Sequence, residues 1–311
     1  MNPVLARLSR KSRLLLSSST CTTTGKLARV TSLLPSGESC YRAAVKPAEQ
    51  LNLPTGSLPL SRRVEEASLN AWPAMHQMLV DGWLLRFAKG FTKRANSVVP
   101  LYPPAGSSLA EIAEKVKFCE NLYARERLRT IFRLTSIGTN QRSHQSLDEY
   151  LEARGYEHRD PTLVMTAPLI EREASIGMRL LSLGEWLDVY GRLSGLPEKN
   201  RPKTRALHGA ILRGMPQPCA YAVIGDPANP LACGLGVLEQ ELLGLFDVVT
   251  SETARRRGHG RALVTGLLAW GWQQGASQAY LQMTKDNHPA RALYDSLGFD
   301  ELYGYWYRVS P

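Results

Sequence analysis

The sequence predicts an α/β protein of mixed character, with a central mixed sheet flanked by helices and built as two tandem halves. Three observations carry this. β-prone apolar runs alternate with stretches of helical periodicity, and the connections are long enough for helical crossovers. One apolar run, Leu243 to Thr250, stops at a short polar stretch and passes two glycines into a helix. The order of elements over residues 60–170 then returns in similar form over 176–311.

In chain order, residues 1–57 form an extension rich in Ser, Thr and Arg, with no acidic residue before Glu38. Such a segment is expected to lie outside the fold, as a disordered extension or, given its Arg/Ser-rich and acid-poor start, as an organelle transit peptide. The compartment expected is the cytoplasm, or the mitochondrial matrix if the extension is a transit peptide. Over 60–170 the pattern reads as a helix from Arg62 to Leu79, strands Trp83 to Ala88 and Ala95 to Leu101, and a Pro/Gly/Ser loop from Tyr102 to Ser108. A helix from Leu109 to Arg127, a strand from Thr130 to Thr135, a helix from Ser146 to Arg154 and a strand from Thr162 to Thr166 complete it.

Over 176–311 a strand from Met178 to Ser182 precedes helices Glu185 to Leu193 and Thr204 to Leu212. Strands Cys219 to Ile224, Ala232 to Gln240 and Leu243 to Thr250 lead into the glycine loop and a helix from Arg261 to Gln274. That helix places Leu263, Leu267 and Trp270 on one face, as a helix lying on a sheet must. A strand from Ala279 to Thr284, a helix from Pro289 to Leu297 and a β segment from Glu301 to Val309 follow. The halves also end alike: Tyr150 to Tyr156 and Leu293 to Phe299 each read as a helix closed by Gly and an aromatic.

Composition narrows the function classes. The 311 residues are 43% hydrophobic, enough for a substantial core, and no apolar run nears the roughly 20 residues that span a bilayer. The five cysteines, Cys21, Cys40, Cys119, Cys219 and Cys233, never fall in C-x-x-C spacing, which argues against a disulfide framework or zinc ribbon. Cys219 and Cys233 read as small core residues on strands. The histidines form no H-E-x-x-H pattern, so no metal is expected. Of the net charge of +10, six come from the first 56 residues, where eight basic residues face two acidic ones. The remaining chain is only weakly basic, which disfavours nucleic acid.

At the glycine loop, Gly258 and Gly260 let backbone approach an anion, while the helix from Arg261 presents unsatisfied N–H groups and its positive end. A dinucleotide fingerprint would want glycine at Leu263, and a phosphate-binding Gly-Lys-Ser/Thr is absent. What remains is Arg-x-x-Gly-x-Gly, carried by Arg255, Gly258 and Gly260 between a strand and a helix. Downstream stand Asn287 and the run Ala290-Arg291-Ala292-Leu293-Tyr294-Asp295-Ser296-Leu297-Gly298-Phe299. In both signatures, their order and their spacing, the chain resembles the GNAT superfamily of acetyl-CoA-dependent N-acetyltransferases. The first half is at best a degenerate relative, because Tyr102-Pro103-Pro104-Ala105-Gly106 stands where its phosphate loop would be.

The resemblance implies the GNAT fold and direct acetyl transfer from acetyl-CoA to an amine. It assigns the pyrophosphate to Arg255, Gly258 and Gly260, with Arg256, Arg257, His259 and Arg261 beside them. Val248, Val249 and Thr250 would meet the pantetheine arm and acetyl carbonyl, and Asn287 would bind the pantetheine or cap its helix. Tyr294 is the candidate general acid, since a phenol near sulfur can protonate a departing thiolate. The family's base varies and is often a carboxylate on the fourth strand; Asp247 is the nearest there, with Glu241 and Glu239 behind it. Strand alternation puts Asp247 on the face of Leu245 and Val249. Tyr303, Tyr305, Trp306 and Tyr307 read as sheet core or acceptor lining, and Arg86, Arg94 and Asn96 as acceptor contacts from the first half. The acceptor expected is a small-molecule amine, with protein amines or a non-catalytic acyl-CoA sensor as alternatives. Neither nucleic acid nor membrane is expected as a partner, and the chain is expected as monomer or homodimer.

Overall fold

The fold is set by where the last strand of each half goes. The computed structural model describes residues 58–102, 108–137, 141–172 and 177–311. The expectations for residues 1–57, Cys21 and Cys40 among them, and for most of the Pro/Gly/Ser loop lie outside the described residues. The first half runs α1 (Leu60–Asn70), β1 (His76–Val80), β2 (Trp83–Phe87), β3 (Val98–Pro100), α2 (Leu109–Arg125), β4 (Ile131–Thr135), α3 (Gln141–Ala153) and β5 (Glu157–Pro168). The second runs β6 (Met178–Leu180), α4 (Leu183–Leu193), α5 (Arg201–Arg213), β7 (Cys219–Asp226), β8 (Asn229–Glu239), β9 (Leu242–Thr250), α6 (His259–Gln273), β10 (Gln278–Thr284), α7 (His288–Asp295) and β11 (Asp300–Val309).

These strands form one sheet in the order β1-β2-β3-β4-β11-β5-β10-β9-β8-β7-β6. Strand β11 lies between β4 and β5, and β5 lies between β11 and β10. Each half therefore completes its sheet with the other half's final strand. Around the β11–β5 seam the pattern is the same on both sides. Only β3–β4 and β9–β10 are parallel, and every other pair is antiparallel. The closing turns repeat too. Tyr156 N–H donates to Leu151 O at 3.0 Å as Phe299 N–H does to Tyr294 O at 3.1 Å, around Gly155 and Gly298, both at positive φ.

Helices cover both faces. One carries α1, α4 and α5 over Phe246, Tyr280, Tyr303, Tyr305 and Tyr307. The other carries α6 and α7 over the second half, with Leu263 and Leu267 buried and Trp270 packed against them, and α2 and α3 over the first. Trp306 alternates away from its tyrosine neighbours and gives its indole N–H to Asp148 at 2.7 Å. Cys233 is buried and Cys219 half-buried, both with free thiols.

The expected helix Arg62 to Leu79 is corrected. It ends at Asn70, because Pro73 cannot continue it and biases Trp72 towards extended backbone. His76–Val80 instead pairs with β2, so Met78 and Leu79 lie exposed on an edge strand rather than on a helix face. The strand expected from Ala95 also shortens, since Lys93–Ala95 forms a single tight turn held by the Thr92 hydroxyl.

A buried polar knot ties the exchanged strand to the first half. Arg133 of β4 pairs with Glu65 of α1, and Tyr303 of β11 donates to Glu65 Oε2 at 2.6 Å. Burial alone would raise the Glu65 pKa, but the Arg133 charge and the hydrogen bonds from Arg133 and Tyr303 hold it below its ordinary 4.5. A depressed carboxyl contributes stability above its unfolded pKa and loses it as pH falls through the folded value. Glu65→Ala, leaving Arg133 unpaired in the core, should cost about 3–5 kcal/mol in urea denaturation at neutral pH. The loss of wild-type stability on acidification below the ordinary carboxylate value should be shallower in Glu65→Gln.

Candidate functional site

The parallel strands β9 and β10 pair only from Leu242/Gln278 to Leu245/Leu281 and then diverge. Past the divergence, β9 carries an extra residue relative to β8. Cys233 faces Val249 while Leu235 faces Phe246, and Asp247 adopts φ 50°. This is a β-bulge, in which one extra residue re-aims the side chains that follow. Gly234, opposite the bulge, has no register partner on β9, and its carbonyl takes the Trp186 indole N–H at 3.1 Å.

The bulge corrects the expected placement of Asp247. Leu245 packs on the α6 face, but Phe246 and Asp247 both turn to the α5 face, after which Val248 returns to the α6 face and Val249 to the α5 face. There Asp247 Oδ2 stands 3.0 Å from Nε2 of the buried His208 on α5. The approach is not aligned as a hydrogen bond, and both buried atoms are left without a partner. His208 lies among the rings of Trp72, Phe91, Trp186 and Tyr190, with centroids 5.0–5.7 Å away. The Asp247 charge, followed by burial, pushes the Tyr190 phenol far up. Glu239 and Glu241 sit at the opposite end of β9 and are engaged there. Glu239 accepts from Asn70 and Gln217, and Glu241 pairs with Arg63. The sequence pattern does not distinguish His208 from Ile211 and Leu212, whose core-facing helical stripe it shares.

Beyond Thr250 the chain turns into α6 through Gly258 at φ 83°, the left-handed cap position that glycine occupies without strain. No side chain caps this helix. Among the described residues, the backbone N–H groups of Arg257 to Arg261 find no acceptor. Gly260 packs on the end of β9, where a Cβ would come within 3.1 Å of Thr250 Oγ1 and 3.7 Å of the Leu293 side chain on α7. Bare amides, a positive helix end and close backbone access make an anion cradle. Arg256 and Arg257 are exposed beside it, with His259 half-buried. Arg255 approaches Glu252 at 3.7 Å, and the Arg261 guanidinium bonds the Ser296 hydroxyl, pinning α6 to the end of α7.

Asn287 caps α7, its Oδ1 accepting from Ala290 N–H at 3.2 Å. Tyr294 lies on the α6 face against Phe299, its ring buried and its hydroxyl without a hydrogen bond among the described residues. Burial pushes its pKa up to about 12, so the phenol keeps its proton at neutral pH.

The matching place in the first half is closed. Strands β3 and β4 pair at Val98/Phe132 and then separate, and His144 of α3 fills the gap. Its Nδ1 lies 3.1 Å from Thr135 N and 2.9 Å from Thr135 O, and its Nε2 2.9 Å from Pro100 O, so the ring bridges the two separated strands. The α2 N-terminus is closed as well, because Ser108 and Glu111 form a reciprocal capping box that places a carboxylate where α6 is bare.

A sheet split between two parallel strands, with an uncapped helix N-terminus at its mouth and a phenol on the next helix, defines a GNAT-superfamily acetyltransferase. Residues 61–308 match the family described as "Probable histone acetyltransferase Rv0428c C-terminal", and the chain belongs to it. The chain is 28% identical over 258 residues to the uncharacterized N-acetyltransferase YobR of Bacillus subtilis (strain 168), covering 80% of this chain and 98% of that one. Against the probable histone acetyltransferase Rv0428c of Mycobacterium tuberculosis (strain ATCC 25618 / H37Rv) it is 26% identical, covering 76% and 70%. The GCN5-related N-acetyltransferase from Kribbella flavida shares the fold, with a TM-score of 0.61 and 15% identity over 82% of this chain and 97% of that one. Among the described residues, no helix is long and apolar enough to cross a membrane, and no His/Cys/Asp/Glu group is arranged for a metal.

The bulge carbonyl gives a direct check. Trp186→Phe keeps an aromatic ring but strands the Gly234 oxygen, and should cost about 1–3 kcal/mol in chemical denaturation. An unshifted midpoint would show that the bulge does not depend on this donor.

Proposed function

We propose that the chain transfers an acetyl group from acetyl-CoA directly to the primary amine of a small molecule. The observation that carries this reading is the contrast between the two helix N-termini, bare at α6 and capped at α2. The residues at the bare end suit coenzyme A. The amides of Arg257 to Arg261 would hold the pyrophosphate, with Arg256 and Arg257 adding positive charge, and the unpaired β10-facing edge of Val248 to Thr250 would take the pantetheine amides. Bound acetyl-CoA supplies an activated acyl carbon with a thiol leaving group. The amine nitrogen attacks that carbon, the carbon–sulfur bond breaks, the Tyr294 hydroxyl protonates the sulfur, and Asp247 accepts the proton lost by nitrogen.

Protein amines are the second reading, suggested by the printed name of the mycobacterial relative. Against it, Trp72, Phe91 and Arg94 of the first half stand over the Asp247 face, which favours an enclosed acceptor over a chain passing through. A screen of the purified chain against free amines and lysine peptides, followed by release of free thiol, decides between them. Acetylation of peptides alone would overturn the small-molecule reading.

Tyr294→Phe should lower kcat by on the order of 100-fold with coenzyme A affinity retained, consistent with loss of a proton donor rather than of a binding contact. Because the phenol titrates near 12, the wild-type rate should show no alkaline decline from this group below about pH 11. Titration calorimetry should return one coenzyme A per chain, since His144 and the Ser108 capping box close the first half's site. Two sites per chain would overturn that assignment.

A further inference from the structure

We propose that the acceptor is a small zwitterion of the amino-acid class, its amine delivered to Asp247 and His208 and its carboxylate held by the Arg94 guanidinium. This rests on the acetyltransfer reading above and names its substrate class.

Of the first-half residues Arg86, Arg94 and Asn96, two are spent on structure. The buried Arg86 donates to the carbonyls of Leu69 at 3.0 Å, Trp72 at 2.5 Å and Arg94 at 2.9 Å. The Asn96 amide accepts from Ala88 and Gly90 N–H and donates to Phe91 and Thr92 carbonyls, all within 2.9 Å. Both build the loop that carries Arg94. The Arg94 guanidinium itself, half-buried, makes no hydrogen bond or ion pair among the described residues. It stands 5.1 Å over the Trp72 ring and 5.7 Å over that of Phe246, the residue before Asp247. A guanidinium held against aromatic faces keeps its N–H fork available for the two oxygens of a carboxylate.

The same face of the sheet also carries the carboxylate of Asp247. Trp72 is shared, its ring 5.1 Å from the Arg94 cation and 5.2 Å from His208. The Tyr190 phenol senses both ends, raised by the charge of Asp247 and lowered by that of Arg94. Asp247 Oδ2 and His208 Nε2 are buried, 3.0 Å apart and unaligned, so each keeps a free valence for a third polar group. An ammonium group satisfies the carboxylate, and the aromatic walls favour a cation. After binding, the ammonium gives one proton to Asp247 and becomes nucleophilic. The new carbon–nitrogen bond forms as the carbon–sulfur bond breaks, and nitrogen loses a second proton to solvent through the same carboxylate. Tyr294 protonates sulfur and is restored from solvent, so the products are the N-acetyl amino acid, free thiol and one net proton.

The test follows thiol release by the full chain with acetyl-CoA and a panel of α-, β- and γ-amino acids. Each is paired with the amine lacking its carboxylate and with its methyl ester. At least one amino acid should exceed both partners in kcat/KM by on the order of 100-fold. Arg94→Gln should raise KM for that amino acid by on the order of 10- to 100-fold with a smaller change in kcat, and Arg94→Lys should fall between. Preference for carboxylate-free amines or lysine peptides, turnover of none of the amino acids, or wild-type discrimination in Arg94→Gln would each overturn the proposal. The panel on the unaltered chain decides even if an Arg94 variant fails to fold. Amine acetylation without carboxylate preference sinks only this inference, whereas no coenzyme A binding and no acetyl transfer sinks the reading beneath it.

Discussion

The structure depends on the pairing of β11 with β5, the seam at which each half accepts the other's last strand. Strand β10 pairs with β5 along its full length, from Gln278/Pro168 to Thr284/Thr162, while on its other side it releases β9 after Leu281. A strand that diverges from one neighbour leaves the polar groups of that edge open to solvent or ligand, while its other edge still holds it in the sheet. The first half therefore supplies the strand that lets the second half's sheet open. The Glu65–Arg133–Tyr303 knot holds the reciprocal strand in place, so opening at one end and closure at the other share one framework.

The halves share topology and closing turns, yet their splits carry opposite chemistry. In the first, an imidazole joins the separated strands and a capping box satisfies the helix end. In the second, no side chain of the described residues caps α6, and the amides remain bare. Gly258 explains much of this difference. It takes the cap position that Ser108 holds in α2 but brings no side-chain oxygen to compete with an arriving anion.

Local signals were legible in the sequence and non-local ones were not. The glycine loop, the Gly155 and Gly298 helix ends and the apolar face of α6 follow from conformational rules acting over a few residues. Strand exchange has no such signature, because β5 and β11 read alike whichever neighbours they join. The bulge was hidden for a related reason. Asp247 at φ 50° goes with the extra residue that β9 carries opposite β8, so it shares a face with Val249 as strict alternation predicts but not with Leu245. His144 and His208 sit at core-facing helical positions, and only the tertiary structure shows that the first fills a strand gap while the second stands against Asp247. Met78 and Leu79 mimic a helical stripe past Pro73, which is why the sequence pattern extends the first helix beyond Asn70.

The change of face at the bulge matters most for how two substrates could meet. The α6 cradle and Tyr294 belong to one side of the sheet, and Asp247, His208 and the Arg94 wall to the other. Without the extra residue, Asp247 would point towards Tyr294, putting the proposed acid and base on one side of the sheet. With it, an acyl donor held at α6, as proposed, would reach through the divergence of β9 and β10 to meet an amine from the opposite face. The proposed proton delivery to sulfur and proton removal from nitrogen would then be separated by the sheet itself. In that arrangement the first half's loop would define the acceptor's surroundings without touching the donor cradle, so that, under the proposal, acceptor preference would change at Arg94 while the coenzyme site stays as it is.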